Sequence, residues 1–444
     1  MTSSTTDENL KREIDTRSLT LAIVNMVIGS GIFALPAIVA EGLGAVAILA
    51  YIVCGVIMFL LALCFAELGS RSNKSGGAYR YIEDAFGRWS GFVAGNIYIV
   101  GGCMASDAAV ANAMADTLQY FFPSLGMDTY RMIFLLILFS GLGWLNVSSV
   151  KNGIRFVALA SIAKLIPLIL LIVVAIPHVD TQNLKWVIHP TVHNIGAASL
   201  LLFFAFLGIE VPLTNGGEIK NPHRTVPRAV FWGIAAILVL YISVQLVTQG
   251  VLGDNMSAHK EAALAAVAGI AIGKPGMIFI TVVTLLAILG SLSGAILSIP
   301  RILFAGARDG LMPKALAKIH PRFATPYVAI WVYVAIDFVM AVSGGFKQLA
   351  IIASASSLIL YLGVALSSIK LIINEKNNAQ RNGFRIPGGV IVPLVVSVAI
   401  IWLLSNLANA ELTGIAVFIL IFSAVYIVSK QIKRINNKMH KYNP

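Results

Sequence analysis

Long apolar runs alternate with short polar stretches along the whole chain. Twelve of these runs are long enough to cross a bilayer at roughly 20 residues each. They cover 18–40, 44–68, 90–119, 131–149, 154–177, 195–215, 228–252, 276–300, 325–343, 347–370, 388–407 and 412–430. Two of them break at glycine in matching places. The first reads Ile28-Gly29-Ser30-Gly31-Ile32-Phe33, and the second reads Phe203-Phe204-Ala205-Phe206-Leu207-Gly208-Ile209-Glu210. An unwound stretch at lipid depth leaves backbone N–H and C=O groups without helical partners, so it must face protein or a polar cavity. Broken helices at corresponding places in two halves of a chain point to a transporter substrate site.

Composition agrees with the pattern. Hydrophobic residues make up 58% and charged residues 12% of 444, which leaves no room for a large soluble domain. The formal net charge of +12 raises the question of nucleic acid, and the placement of the charge argues against it. With these spans, 26 of the 32 Lys and Arg fall on one side of the bilayer and five on the other, with Lys164 inside a span. That bias is the positive-inside pattern and places both termini in the cytoplasm, as expected for an inner-membrane protein. The basic surplus then serves topology and contact with anionic lipid. Residues 1–17 read as a cytoplasmic tail, not a signal peptide. Cys54, Cys64 and Cys103 all lie inside spans without ligand spacing and read as small buried residues.

The two broken runs are spans 1 and 6. If each opens a repeat of five spans, the odd number makes the second repeat enter from the opposite side. The expected fold is therefore an all-α integral membrane protein with 12 transmembrane helices. It comprises a tail at 1–17, repeat 1 at 18–177, repeat 2 at 195–370, two further helices at 388–430, and a tail at 431–444. The loop at 71–89 carries a Gly pair and then a stretch suited to a short interfacial helix. Asn221-Pro222 and Pro227 force a turn before span 7.

Several residues could carry chemistry. After the first break, a half-helix presents free N–H groups and a partial positive charge that suit a carboxylate. The half-helix ending around Phe203–Phe206 offers free carbonyls that suit an ammonium. Together they describe an α-amino acid; close helix packing is the competing reading of the glycines. Lys164 lies nine residues past Arg155. At about 1.5 Å per residue that is roughly 13 Å deep. Buried lysines in spans are costly and functional as a rule. Lys164 could lose its proton in one conformation, stand as a fixed cation, or snorkel to the membrane edge. Asp107, mid-span among small residues, could hold a cationic substrate side chain, carry a proton, or belong to an internal salt bridge. Glu210, just past the second break, could tie gating helices or take up a proton. Ser291 and Ser293 lie mid-span 8, and Ser354 lies in span 10, though span hydroxyls often bond their own helix. All seven histidines fall in loops or tails, against a buried histidine relay. No zinc-protease, P-loop or nucleophile-elbow pattern occurs, against ATP-driven transport and against an enzyme.

Five motifs give the chain a family likeness: Gly29-Ser30-Gly31-Ile32-Phe33, Ser75-Gly76-Gly77-Ala78-Tyr79-x-Tyr81, Phe206-x-Gly208-x-Glu210, Gly217-Glu218-x-x-Asn221-Pro222-x-Arg224-x-Val226-Pro227 and Ala307-Arg308-Asp309-Gly310-Leu311-Met312-Pro313. With these it resembles the amino acid–polyamine–organocation superfamily over nearly its whole length. The resemblance implies a LeuT-type fold of two inverted five-helix repeats. It implies a substrate-binding stretch at Ile28, Gly29, Ser30, Gly31 and Ile32, in which the segment around Ser30 to Ile32 takes the carboxylate, and that Phe203 to Phe206 take the amine, with Phe204 as an aromatic gate. Lys164 would occupy the place of a sodium ion, with Ser291 and Ser293 as neighbours, so sodium coupling is disfavoured. The chain departs from the arginine–agmatine exchangers in having Phe204 and Ala295 where those carry tryptophans. Asp107 falls where they have an asparagine facing the substrate, so neutral and cationic substrates both stay open.

The expectation is an amino acid transporter working by alternating access, sodium-independent, by proton-coupled symport or exchange. The alternatives are a cationic amino acid or polyamine exchanger and a non-transporting membrane sensor. Expected partners are an amino acid or amine, protons and membrane lipid, with a homodimer left open; no nucleic acid, cofactor or metal is expected.

Overall fold

A computed structural model describes residues 13–29, 31–69, 78–148, 164–187, 189–213, 219–260, 262–308, 312–374 and 384–442. Ser30, the Gly76-Gly77 pair, Gly217-Glu218 and Asp309 to Leu311 lie outside them. Among the described residues the chain is helical, and the sole β-type contact is an isolated bridge between Ile14 and Ile219.

The first apolar run forms α1 (Thr16–Val27) and α2 (Gly31–Ala40), whose axes diverge by 58°. Asp15 starts α1 by accepting from the Ser18 N–H at 2.8 Å, one of the helix's free first-turn donors. Next come α3 (Ile48–Gly69) and the short amphipathic α4 (Ala78–Phe86), where the loop reading expected an interfacial helix. α5 (Arg88–Ile97) continues through a π-helical turn, Tyr98–Met104, into α6 (Ala105–Gln119). α7 (Asp128–Ser148) and α8 (Lys164–His178) follow.

The second broken run is α9 (Val192–Leu202), a tight 3-10 turn at Phe203–Phe206, and α10 (Glu210–Leu213). Thr191 starts α9 by accepting from the Asn194 N–H at 3.1 Å. α11 (Pro222–Leu252) begins on Pro222, where the missing N–H costs nothing, after Asn221 turns the chain with a φ of 42°. Then come α12 (Ala263–Ile272), α13 (Lys274–Arg308), α14 (Tyr327–Ser343), α15 (Phe346–Asn374), α16 (Ile391–Leu404) and α17 (Asn409–Tyr442).

Helix therefore stands at each of the twelve predicted runs, so far as they are described. Seven described segments are long and apolar enough to cross a membrane, or eight if α1 and α2 count as one bent span. The others, among them α14 and α16, are shorter apolar helices. α12 is an addition, a small-residue helix inside a stretch read as a connection between spans.

The core places the broken runs centrally. α1 packs on α11, α3 on α11 and α9, and α15 crosses α3, α4, α6, α9 and the π-helical turn. α17 is peripheral, with 6% of its apolar window buried against 67% for α15. Large apolar side chains such as Leu21, Ile137, Val239 and Leu420 stay exposed along the outer helix faces. Exposed aliphatics on this scale suit contact with lipid rather than water.

Candidate substrate and coupling site

The two breaks meet. A Cβ on Gly31 would lie 3.2 Å from Phe204 Cδ1 and 3.3 Å from Ala205 Cα, so the start of α2 rests directly on the 3-10 turn. Gly208 sits at φ +103, a backbone region that L side chains avoid, with the Met26 carbonyl oxygen 3.3 Å from where its Cβ would be. At the first break, the Gly29 N–H donates to Val27 O at 2.7 Å in a three-residue turn.

One side chain reaches both breaks. The Tyr241 hydroxyl lies 3.1 Å from Val27 O and 2.9 Å from Ala205 O, one carbonyl at each break. Tyr241 is wholly buried on α11, and Phe206 stacks edge-on against it at 5.3 Å between ring centres. The sequence reading missed this residue.

Lys164 turns inward. Its Nζ donates to Asn25 O at 2.6 Å, and the residue is 7% exposed. The charge thus rests on the last turn of α1, where helix carbonyls point out and attract a cation.

Glu210 begins α10 and is buried. Tyr98 from the π-helical turn and Tyr361 from α15 both donate to it, the latter at 2.5 Å. Phe203 packs against Tyr361 at 6.2 Å, and Phe204 meets Phe346, the first residue of α15, at 5.8 Å. Ile28 and Ile32 are buried in the same apolar core.

Asp107 lies on α6 and accepts from the Tyr333 hydroxyl of α14 at 2.9 Å. Asp337, four residues after Tyr333 on α14, is also buried and was missed by the sequence reading. The signal was present: Asp337 is a carboxylate in the middle of an apolar run, as Asp107 is. Ser293 and Ser354 are fully buried with hydroxyls that lack partners, while Ser291 is half-buried.

At one end of the bundle, Glu41 just past α2 takes Lys260 at 2.7 Å and Lys347 at 3.7 Å. The Lys260 hydrogen bond is the main reason its carboxyl is held below the usual range. This cluster links the end of α2, the loop before α12 and the start of α15. Among the described residues no group of His, Cys, Asp and Glu is arranged to hold a metal ion.

A helical bundle with two touching helix breaks, a buried lysine on one and a buried glutamate on the other is the architecture of a membrane permease. Residues 14–437 match the family model described as amino acid permease, and the chain belongs to that family. It is 28% identical over 406 residues to the serine/threonine exchanger SteT of Bacillus subtilis (strain 168), covering 88% of this chain and 90% of the relative. It is 24% identical over 440 residues to the branched-chain amino acid permease BcaP of the same organism, covering 95% and 93%. It is 32% identical over 346 residues to the human large neutral amino acids transporter small subunit 2, covering 72% of this chain and 62% of the relative. The chain is a multi-pass membrane protein and an amino acid transporter, not an enzyme.

Proposed function

We propose that this permease carries neutral amino acids by alternating access, without sodium, in a LeuT-type arrangement of 12 helices with cytoplasmic termini in the inner membrane. The contact between the two breaks carries the reading. The N-terminal end of α2 lies against the C-terminal end of the 3-10 turn through Gly31, Phe204 and Ala205. A positive helix end beside a negative one fits the carboxylate and ammonium of a zwitterion. Ile28, Ile32, Phe203, Phe204 and Phe206 then surround the side chain with apolar groups.

Asp107 supports a neutral substrate, because one of its oxygens already accepts from Tyr333. The serine/threonine and branched-chain names of the relatives agree. Lys164 on the Asn25 carbonyl supplies a fixed positive charge at α1 where a sodium ion would otherwise be needed. Substrate binding shifts the conformational balance only by its differential affinity for the two states.

Counterflow in proteoliposomes tests this. Vesicles loaded with unlabelled serine, threonine or leucine should take up the labelled amino acid without sodium, and lysine or arginine should compete poorly. Uptake that requires sodium, or that only cationic amino acids drive, would overturn the reading.

A further inference from the structure

Asp107 on α6 and Asp337 on α14 are both buried, and the two helices pack against each other. Tyr333 and Asp337 are four residues apart and share one face of α14. Tyr333 holds Asp107, and Asp337 stands one helical turn along α14 from Tyr333. Asp337 is 0% exposed, and neither of its carboxyl oxygens has a hydrogen-bond partner among the described residues. Neither carboxyl interacts with a basic side chain among the described residues.

Two ionised carboxylates cannot persist so placed. They repel each other, and Asp337 is fully buried without a protein donor among the described residues to replace its hydration. The other titratable groups facing the pair are Tyr333 on α14 and Cys103, one turn before Asp107. Cys103 also interacts with Glu210 and hydrogen-bonds Tyr98. Across α13 the mid-helix polar groups are hydroxyls, and its charged groups, Lys274, Arg301 and Arg308, lie toward its ends. On α7, Arg131 near the first turn is committed to Asp116 at 2.7 Å. On α15, Tyr361 is committed to Glu210.

We propose that Asp107 and Asp337 form a proton-binding site that holds one proton between them and releases it during transport. Binding forms one O–H bond and neutralises one carboxylate; release, in a conformation that parts the two carboxyls and admits water, breaks that bond, passes the proton to a water molecule as hydronium and leaves both charged. The site rests on the transporter reading and names its coupling ion. The link to the breaks runs through Cys103 and Tyr98, both in the π-helical turn, to Glu210 on α10. Such turns shift register easily and occur at functional places. Movement of the second break therefore repositions the groups around the pair.

Two measurements on the full chain decide it. In proteoliposomes, uptake of labelled serine or leucine driven by an inward proton gradient is compared with counterflow of the same label. Asp337→Asn should lower the ratio of gradient-driven to counterflow uptake to that seen without a gradient, and Asp337→Glu should restore it. A ratio unchanged by Asp337→Asn, or a wild type without gradient-driven uptake, overturns the proposal. Infrared spectra of the purified protein across pH should show a protonated-carboxyl band that Asp337→Asn removes; its absence from the wild type overturns the proposal. If no amino acid gives counterflow, the transporter reading falls, and the infrared result still decides whether the pair binds a proton.

Discussion

The two helix breaks solve one problem in opposite ways. At the first, side chains from elsewhere come to the backbone: Lys164 reaches Asn25 O, and Tyr241 reaches Val27 O. At the second, Tyr241 also reaches Ala205 O, but the chain adds a side chain of its own, and Glu210 collects hydroxyls from Tyr98 and Tyr361. Their glycines differ as well. Gly208 occupies a left-handed conformation against Met26, whereas Gly29 has an ordinary φ and meets nothing closer than its neighbour's carbonyl at 3.9 Å. The first break is thus held by replaceable external contacts and the second by backbone shape and an internal acid.

That contrast can be broken by mutation. The largest effect is expected from Lys164→Ala. It strands the Asn25 carbonyl in a dry interior at a cost of about 1–3 kcal/mol. Counterflow should fall about 10–100-fold, and uptake at wild-type rates would show that the lysine does not hold α1. Next comes Gly208→Ala, which forces a side chain into the left-handed region at a cost of about 1–3 kcal/mol. The purified protein should melt clearly lower, while Gly29→Ala should melt near the wild type. Equal melting of the two variants would erase the difference between the breaks.

Tyr241→Phe should be milder, near 1 kcal/mol, the usual net value of a hydrogen bond. A double variant with Lys164→Ala should cost more than additivity predicts if both secure the first break. The smallest effect concerns Glu41. Its carboxyl is depressed by Lys260, so the contact contributes above the usual glutamate range, about 4.3, and is lost as the pH falls through the lower folded value. Glu41→Gln should therefore lower the melting temperature slightly at pH 7, and the difference should vanish in strong acid.

Much of this was legible in the sequence. The apolar runs located the helices, and the glycines located both breaks, because lipid leaves backbone groups few alternatives. Lys164 stood out as a lysine inside an apolar run. Its partner did not, since Asn25 lies 139 residues away in the chain. Tyr98, Tyr241, Tyr333 and Tyr361 were invisible for a related reason. A tyrosine in a span reads as packing until the fold shows which oxygen its hydroxyl meets. Asp337 was the avoidable miss, because it too is a carboxylate in the middle of an apolar run, although its neighbours are larger than those of Asp107. The π-helical turn carries no sequence signature, and α12 was hidden because ten small apolar residues do not reach across a bilayer.

Tyr241 has one hydroxyl proton and two carbonyls within its reach, one in each half of the chain. If the first half swings away, the phenol keeps Ala205 and is never left bare; if the second swings, it keeps Val27. The residue behaves like a hinge pin shared by two doors, so either can open without the frame losing its fastening.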